Sequence, residues 1–502
     1  MMRTKKFLYN SISAAVLQTA NMIIGFLLSS TILSYYGSEI NGLVMSLTQF
    51  VGYFALVEAG ISESVIFSLY KPLSQSDNRK ISAIFIASKN YFYKTGVFFL
   101  ILVLLLAILY PFFIRASVMK YYEIMLLTFI IGVNGIVDFF IVAKYRILLT
   151  ADQRMYVLSI AVIISNILNL LIIMILSAQG CSIVFVRLMA LFSVLLRSLI
   201  LYLYVKCKYG FLDSRVKPDI SALSKRWDAF YLQMLGVFQH GVPIVLATIF
   251  TDLKNVSVYS VYMLIISSVK SLLSIFQTGL PAAFGEIIVT NDQVTLKKTE
   301  EQFECIYYAL LRVFYTVTFV LILPFISIYT SNVSDIVYEN KALALLFVID
   351  GFFYNMKTPQ GMLVISAGLY KETKLQTTIQ ALIILFVGGM LAPSFKLYGI
   401  LIGSICSNIY RTIDLLFFIP KYVTHNNILM TFKRQINAVI FLFLGVFLTY
   451  YIKLPIVKTY VSWGCLAVKV FLFVSFFSFL DILFTDGTVF KNIFLRVKKL
   501  FR

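Results

Sequence analysis

Val97-Phe98-Phe99-Leu100-Ile101-Leu102-Val103-Leu104-Leu105-Leu106-Ala107-Ile108-Leu109-Tyr110 is an uninterrupted apolar run inside a longer segment, about 82–113. Crossing hydrocarbon takes about 20 mostly apolar residues in a helix, which pairs its own backbone groups where water is absent. The segment therefore predicts a transmembrane helix. Thirteen more of the same kind lie near 7–34, 39–69, 121–145, 154–178, 182–205, 229–250, 256–288, 303–329, 342–367, 375–393, 397–419, 434–452 and 461–484. The whole 502-residue chain shares the bias, with 60% apolar and 13% charged residues, against about 45–50% and about 25% in soluble domains. The expected fold is an all-α integral membrane protein of about 14 transmembrane helices. The basic start, Met1 to Lys6, mimics a secretory signal, but the apolar run continues to about residue 34, which predicts a retained first membrane helix.

Charge sets the topology. Of 43 Lys and Arg, 27 fall in segments that are cytoplasmic if both termini are inside, 7 fall outside, and 9 lie within apolar segments. Cytoplasmic loops collect Lys and Arg, so the net charge of +20 needs no nucleic-acid partner. The five cysteines are scattered without CxxC or Cys/His grouping, so neither a metal site nor a disulfide framework is predicted, and no cofactor is expected. The loops are short, and no GxxxxGK[ST] phosphate loop occurs, which excludes ATP hydrolysis by that route.

Two words repeat. Phe54-Ala55-Leu56-Val57-Glu58-Ala59-Gly60-Ile61 pairs with Leu273-Ser274-Ile275-Phe276-Gln277-Thr278-Gly279-Leu280, an offset of 219 at Gly60 and Gly279. The turn at Ala151 pairs with that at Ala367, an offset of 216. A duplication of six helices satisfies both. The predicted organisation is a six-helix lobe over 1–207, a connecting loop over 208–228, and a second six-helix lobe over 229–420. Two added helices follow over 421–486, then a basic amphipathic tail over 487–502 suited to anionic lipid. Six is even, so the halves run the same way through the membrane, an arrangement found among alternating-access transporters.

Leu33-Ser34-Tyr35-Tyr36-Gly37-Ser38-Glu39-Ile40-Asn41-Gly42-Leu43 resembles the first outer turn of polysaccharide repeat-unit flippases. Glu58-Ala59-Gly60-Ile61, Ser68-Leu69-Tyr70-Lys71-Pro72-Leu73 and Val256-Ser257-Val258-Tyr259-Ser260-Val261-Tyr262 extend that likeness to members of the multidrug/oligosaccharidyl-lipid/polysaccharide exporter superfamily. One departure is His240-Gly241-Val242-Pro243-Ile244, where many relatives carry a polar or acidic residue. The resemblance implies export of an undecaprenyl-diphosphate-linked oligosaccharide across a bacterial plasma membrane, for capsule or O-antigen assembly. It also implies two lobes in a V around a cavity lined by helices 1, 2, 7 and 8, with a polysaccharide polymerase and chain-length machinery as partners.

The embedded charges are the candidate site, since charge inside a membrane is costly. Lys270 sits mid-segment among Ser267, Ser271 and Ser274 and is expected to be a cavity cation, with an ion pair inside one lobe as the alternative. Arg312 competes with snorkelling toward the inner surface. Arg187 and Arg197 are ten apart, which predicts different faces and at most one in a given cavity. Arg411 reads as a local pair with Asp414. Among acids, Glu58 is the first candidate for coupling a proton or sodium ion, or for neutralising a cation. Asp138 and Asp350 are also embedded, with Lys357 seven residues after Asp350 as a partner in mutual neutralisation. His240, three residues before Pro243, reads either as a proton switch or as a partner for a backbone group freed by the proline. Pro281 and Pro359 mark further kinks.

Competing readings are a membrane enzyme of polysaccharide assembly, a lipid II flippase, and a drug/cation antiporter. An enzyme of that kind needs a sizeable outer loop, which is lacking. An antiporter needs a net acidic cavity, whereas the embedded set contains nine Lys and Arg.

Overall fold

The computed structural model describes the chain except for residues 1, 59–60, 115–117, 214, 224–226, 278–279, 452–454, 456 and 501–502. The repeat landmarks Gly60 and Gly279 lie outside the described residues, as do Arg115, Lys225, Arg226, Lys453 and Arg502 of the loop cations. Among the described residues the protein is all-helical, without strands. Contacts divide it into two compact units, Met1–Ser260 and Val261–Arg502.

Unit 1 holds α1 (Met2–Phe54), α2 (Ile61–Gln75), α3 (Asn78–Phe113), α4 (Tyr121–Val137), α5 (Ala143–Ala151), α6 (Met155–Ala178), α7 (Ile183–Lys208), α8 (Trp227–Phe250) and the start of α9 (Leu253–Ile275). Unit 2 takes the rest of α9, then α10 (Leu280–Val289), α11 (Gln293–Tyr329), α12 (Lys341–Met356), α13 (Thr358–Ala367), α14 (Lys374–Phe395) and α15 (Leu397–Ile419). It ends with α16 (Ile428–Tyr451), α17 (Tyr460–Thr485) and α18 (Gly487–Leu500). The contact division falls inside α9, whereas the sequence places it in the loop 208–228. α8 and the first turns of α9 pack on α1 because glycines let backbones approach closely. A Cβ on Gly42 would lie 1.8 Å from the Leu253 carbonyl oxygen, and one on Gly241 would lie 2.2 Å from the Tyr53 hydroxyl. Asn41 donates to Ser257 at 2.7 Å, and the Ser46 and Thr248 hydroxyls bond at 2.8 Å.

Twelve helical stretches among the described residues are long and apolar enough to span a membrane, against fourteen expected. Neither difference is a lost segment. The stretch Tyr9–Glu58 consists of two helices joined across non-helical Gly37 (φ 81°, ψ 178°), which lies between the first two expected segments. The segment 342–367 divides at Lys357 into helices of 16 and 10 residues, each below spanning length. Pro359, near the start of α13, has no N–H with which to continue α12. Leu104, Leu105, Ile108, Leu472 and Phe476 are exposed on the outside of their helices, where a lipid-facing side belongs.

The duplication is written in the backbone. Left-handed residues occur at Ser76, Gln153 and Gly180, and again at Asn291, Gly368 and Lys396, offsets of 215, 215 and 216. Asp77 caps α3 by accepting from the Lys80 N–H, and Asp292 caps α11 by accepting from the Thr295 N–H, both at 3.0 Å. α5 ends at Ala151 and α13 at Ala367. Ser165 donates to the Ser193 carbonyl at 2.7 Å, while Ser407 donates to the Gln380 carbonyl at 2.8 Å, the same helix pair with the donor reversed.

Candidate functional site

In unit 1 the polar cluster forms where two helices lose regular winding. α1 ends in a 3-10 turn, Ala55–Glu58, and α4 gives way to a π turn, Asp138–Val142. π turns insert a residue into the helix and re-aim side chains, commonly at functional sites. Arg146, two turns past Asp138 on α5, donates to Glu58 at 2.5 Å and to Asp138 at 3.1 Å. Arg197 on α7 donates to Asp138 at 3.2 Å, and Ser62 donates to Glu58. Glu58, Asp138, Arg146 and Arg197 line a cavity of about 460 Å³ together with Thr48, Asn134, Asn169 and Arg187.

Two expectations change here. Arg187 and Arg197 share this cavity. Ten residues turn a helix by about 80° net of whole turns, which one wide cavity accommodates. Arg146, placed in an inner loop by the sequence, belongs to the embedded network, because the apolar helical stretch runs on to Ala151. Glu58 is paired with Arg146 at 2.5 Å, in keeping with the second of the two readings its position allows. Arg187 has no carboxylate within 4 Å among the described residues, and its buried Nε has no hydrogen-bond partner.

Unit 2 brings Lys270, Asp350 and Lys357 together. The Lys270 ammonium lies 3.9 Å from Asp350, with side chains 12% and 8% exposed. Asp350 accepts from Ser404 at 2.5 Å and from Asn408 at 3.0 Å. Lys357 donates to the Asn408 amide oxygen at 2.7 Å, so its link to Asp350 runs through Asn408. The mutual neutralisation expected from their spacing is absent among the described ion pairs, because α12 ends before Lys357. Both ammonium groups stand over the Tyr354 ring, at 4.1 Å for Lys270 and 4.9 Å for Lys357. A ring face attracts cations, which offsets part of the repulsion between two lysines served by one carboxylate.

Arg312 lies elsewhere. It pairs with Asp481 on α17, which also accepts from Asn437 on α16. Arg434, the first residue of the expected span 434–452, is buried between Glu304 at 3.1 Å and Asp486 at 2.8 Å. These pairs fasten α16 and α17 to α11. Arg411 pairs with Asp414 as its spacing predicts. His240 is exposed on α8 and does not line the unit 1 cavity. Residues missed from sequence are Arg146, Tyr354, Ser404 and Asn408. Their common signal is a polar side chain inside an apolar segment, too frequent here to single them out. At the turn between α5 and α6, Tyr209 donates to Asp152 at 2.6 Å, and burial together with that carboxylate raises its hydroxyl pKa above the ordinary value.

No protein-family model matches this sequence, and no curated protein is significantly similar to it. Solved structures are. A lipid II flippase MurJ in an inward closed conformation superposes with a TM-score of 0.68 at 15% identity, over 96% of this chain and 100% of that one. An inward-facing multidrug resistance MATE family transporter of the MOP superfamily gives 0.64 at 12% identity, over 86% and 98%. A MOP superfamily transporter from Pyrococcus furiosus, described as having reverse polarity of its binding pocket, gives 0.54 at 12% identity, over 83% and 95%. The chain is therefore a multi-pass helical membrane protein with the fold of the MOP-superfamily transporters.

Proposed function

We propose that this protein is a flippase that moves an undecaprenyl-diphosphate-linked oligosaccharide across the bacterial plasma membrane by alternating access. The observation that carries this reading is the paired lysines of unit 2. Lys270 and Lys357 stand over one tyrosine ring, and the one carboxylate beside them, Asp350, pairs directly with Lys270 alone, which leaves a local surplus of positive charge within apolar segments. A diphosphate is the kind of group that repays such a surplus, because attraction between unlike charges is strongest where water is scarce. A transporter of cationic drugs gains nothing from it. The short loops and the missing phosphate loop argue against an enzyme and against ATP as the energy source. Glu58 and Asp138 act as counter-charges to the arginines rather than as the coupling site. The basic helix α18 lies against anionic lipid. Its first turns are anchored by Val489, Phe490 and Ile493 packed on Cys305, Ala309 and Ile482.

A lipid II flippase shares this chemistry, since its cargo is also a lipid-linked glycan diphosphate, and the MurJ likeness favours it as the second reading. The test is flipping in proteoliposomes, with lipid-linked oligosaccharide and lipid II offered separately. Lys270→Ala should abolish turnover, and Lys270→Arg should keep part of it, since the charge survives with altered geometry. Wild-type turnover by Lys270→Ala would refute the anionic-substrate reading, and preference for lipid II would replace the glycan assignment.

A further inference from the structure

The carboxylates of the unit 1 cavity are already engaged. Arg146 spans Glu58 and Asp138, and Arg197 takes the other oxygen of Asp138. What remains are guanidinium edges. The Nε atoms of Arg187 and Arg197 are both buried and without hydrogen-bond partners, and Arg187 has no carboxylate within 4 Å among the described residues. A buried N–H donor without a hydrogen-bond partner is costly to keep. Here two such donors line one cavity of about 460 Å³, with the neutral amides of Asn134 and Asn169 beside them.

The donor chemistry selects the ligand. A guanidinium offers its Nε–H and one Nη–H as a planar fork that matches two oxygens of a phosphate or carboxylate. A metal ion would meet three arginines and two carboxylates that are already paired. The volume lies within the ordinary range for small-molecule pockets, ample for an oxyanion with its water or with an attached sugar. We propose that the unit 1 cavity is an oxyanion site, with Arg187 as its principal ligand and the Nε edge of Arg197 as the second, taking a phosphate or carboxylate group. This site is separate from the Lys270 cluster and does not depend on the cargo assigned above. The oxyanion has two possible sources, free phosphate or the diphosphate headgroup of a lipid.

The experiment uses the full chain in nanodiscs and follows thermal unfolding at constant ionic strength. One arm titrates inorganic phosphate against chloride, and the other incorporates undecaprenyl diphosphate in the bilayer. Wild type should be stabilised by at least one probe. In a Lys270→Ala background, which removes the diphosphate contact assigned above, the shift should persist, Arg187→Gln should abolish it, and Glu58→Gln should retain or enlarge it because a competing negative charge is gone. A shift with phosphate identifies the free anion as ligand, and one with the lipid alone identifies the headgroup. Either supports the site when it needs Arg187. If Arg187→Gln cannot be purified, Arg187→Lys should bind the effective probe about tenfold more weakly. The inference is overturned if neither probe gives an Arg187-dependent shift, or if Lys270→Ala removes the shift as completely as the Arg187 variant.

Discussion

Gly135 is packed so closely on Phe99 that a Cβ there would lie 2.3 Å from the Phe99 Cζ. The relationship recurs 216 residues later. A Cβ on Gly351 would lie 2.8 Å from the Tyr315 Cε1 and 2.7 Å from the Ile266 Cγ2. In each unit, one helix presses its backbone against an aromatic ring of the helix pair beside it. Gly135→Ala and Gly351→Ala should each destabilise the purified protein by about 1–3 kcal/mol, the ordinary range for overpacking. Phe99→Leu should recover part of the first loss by making room. Denaturation of the detergent-solubilised protein measures this, and a neutral Gly351→Ala would show that the second contact is not a copy of the first.

Asp138 and Glu58 should differ in cost. Asp138→Asn weakens the hold on two guanidinium groups, whereas after Glu58→Gln the Arg146 side chain still has Asp138. Removing one partner of a buried pair costs about 3–5 kcal/mol, and losing one charged hydrogen bond about 1.5–3 kcal/mol. Unfolding midpoints should therefore fall further for Asp138→Asn. With Glu58 proposed as a counter-charge to Arg146, Glu58→Gln is expected to keep the wild-type pH response of transport. Loss of that response in proteoliposomes under an imposed pH gradient would return Glu58 to a coupling role.

Arg312 is expected to behave as a fastener. Arg312→Ala alone leaves Asp481 without its cation at the α11–α17 contact and should cost about 3–5 kcal/mol. Replacing both residues by Leu should restore most of the stability, since apolar substitution of a whole buried pair is often neutral. Transport by the double variant separates the roles. Substantial turnover is expected, and a folded but inactive protein would mean that Arg312 also contacts substrate.

The turns at Gln153 and Gly368 should respond with opposite signs. Both residues sit in the left-handed region, at φ 56° and 69°. A side chain there costs about 1–2 kcal/mol, partly offset by the greater unfolded-state freedom of glycine. Gln153→Gly should stabilise by about 0.5–1 kcal/mol, and Gly368→Ala should destabilise by about 1 kcal/mol. Thermal midpoints of the two variants check the pair.

The embedded network shows why part of the site was illegible. Glu58 meets Arg146 across 88 residues, Asp138 meets Arg197 across 59, and Arg312 meets Asp481 across 169. Each partner lies on another helix, and helix faces shift with every irregular turn. Arg146 follows the π turn that begins at Asp138, and Lys357 follows the end of the helix that carries Asp350. Local pairs survived this, as Arg411 and Asp414 did on one regular helix.

By itself, the sequence determined that this chain crosses a membrane many times and where most spans lie. It also predicted that its two halves repeat, and six of the eight left-handed positions among the described residues fall in pairs 215 or 216 apart. Those properties are sums over some 20 residues of transfer free energy or over whole turns, so no single contact decides them. Tertiary structure alone decided which charges are paired, that Arg187 and Arg197 share a cavity, and that Arg312 and Arg434 hold α16 and α17 in place. Those depend on how helices far apart in the chain turn their faces toward one another, and an ion pair made or missed over a few ångströms leaves no trace in composition or periodicity.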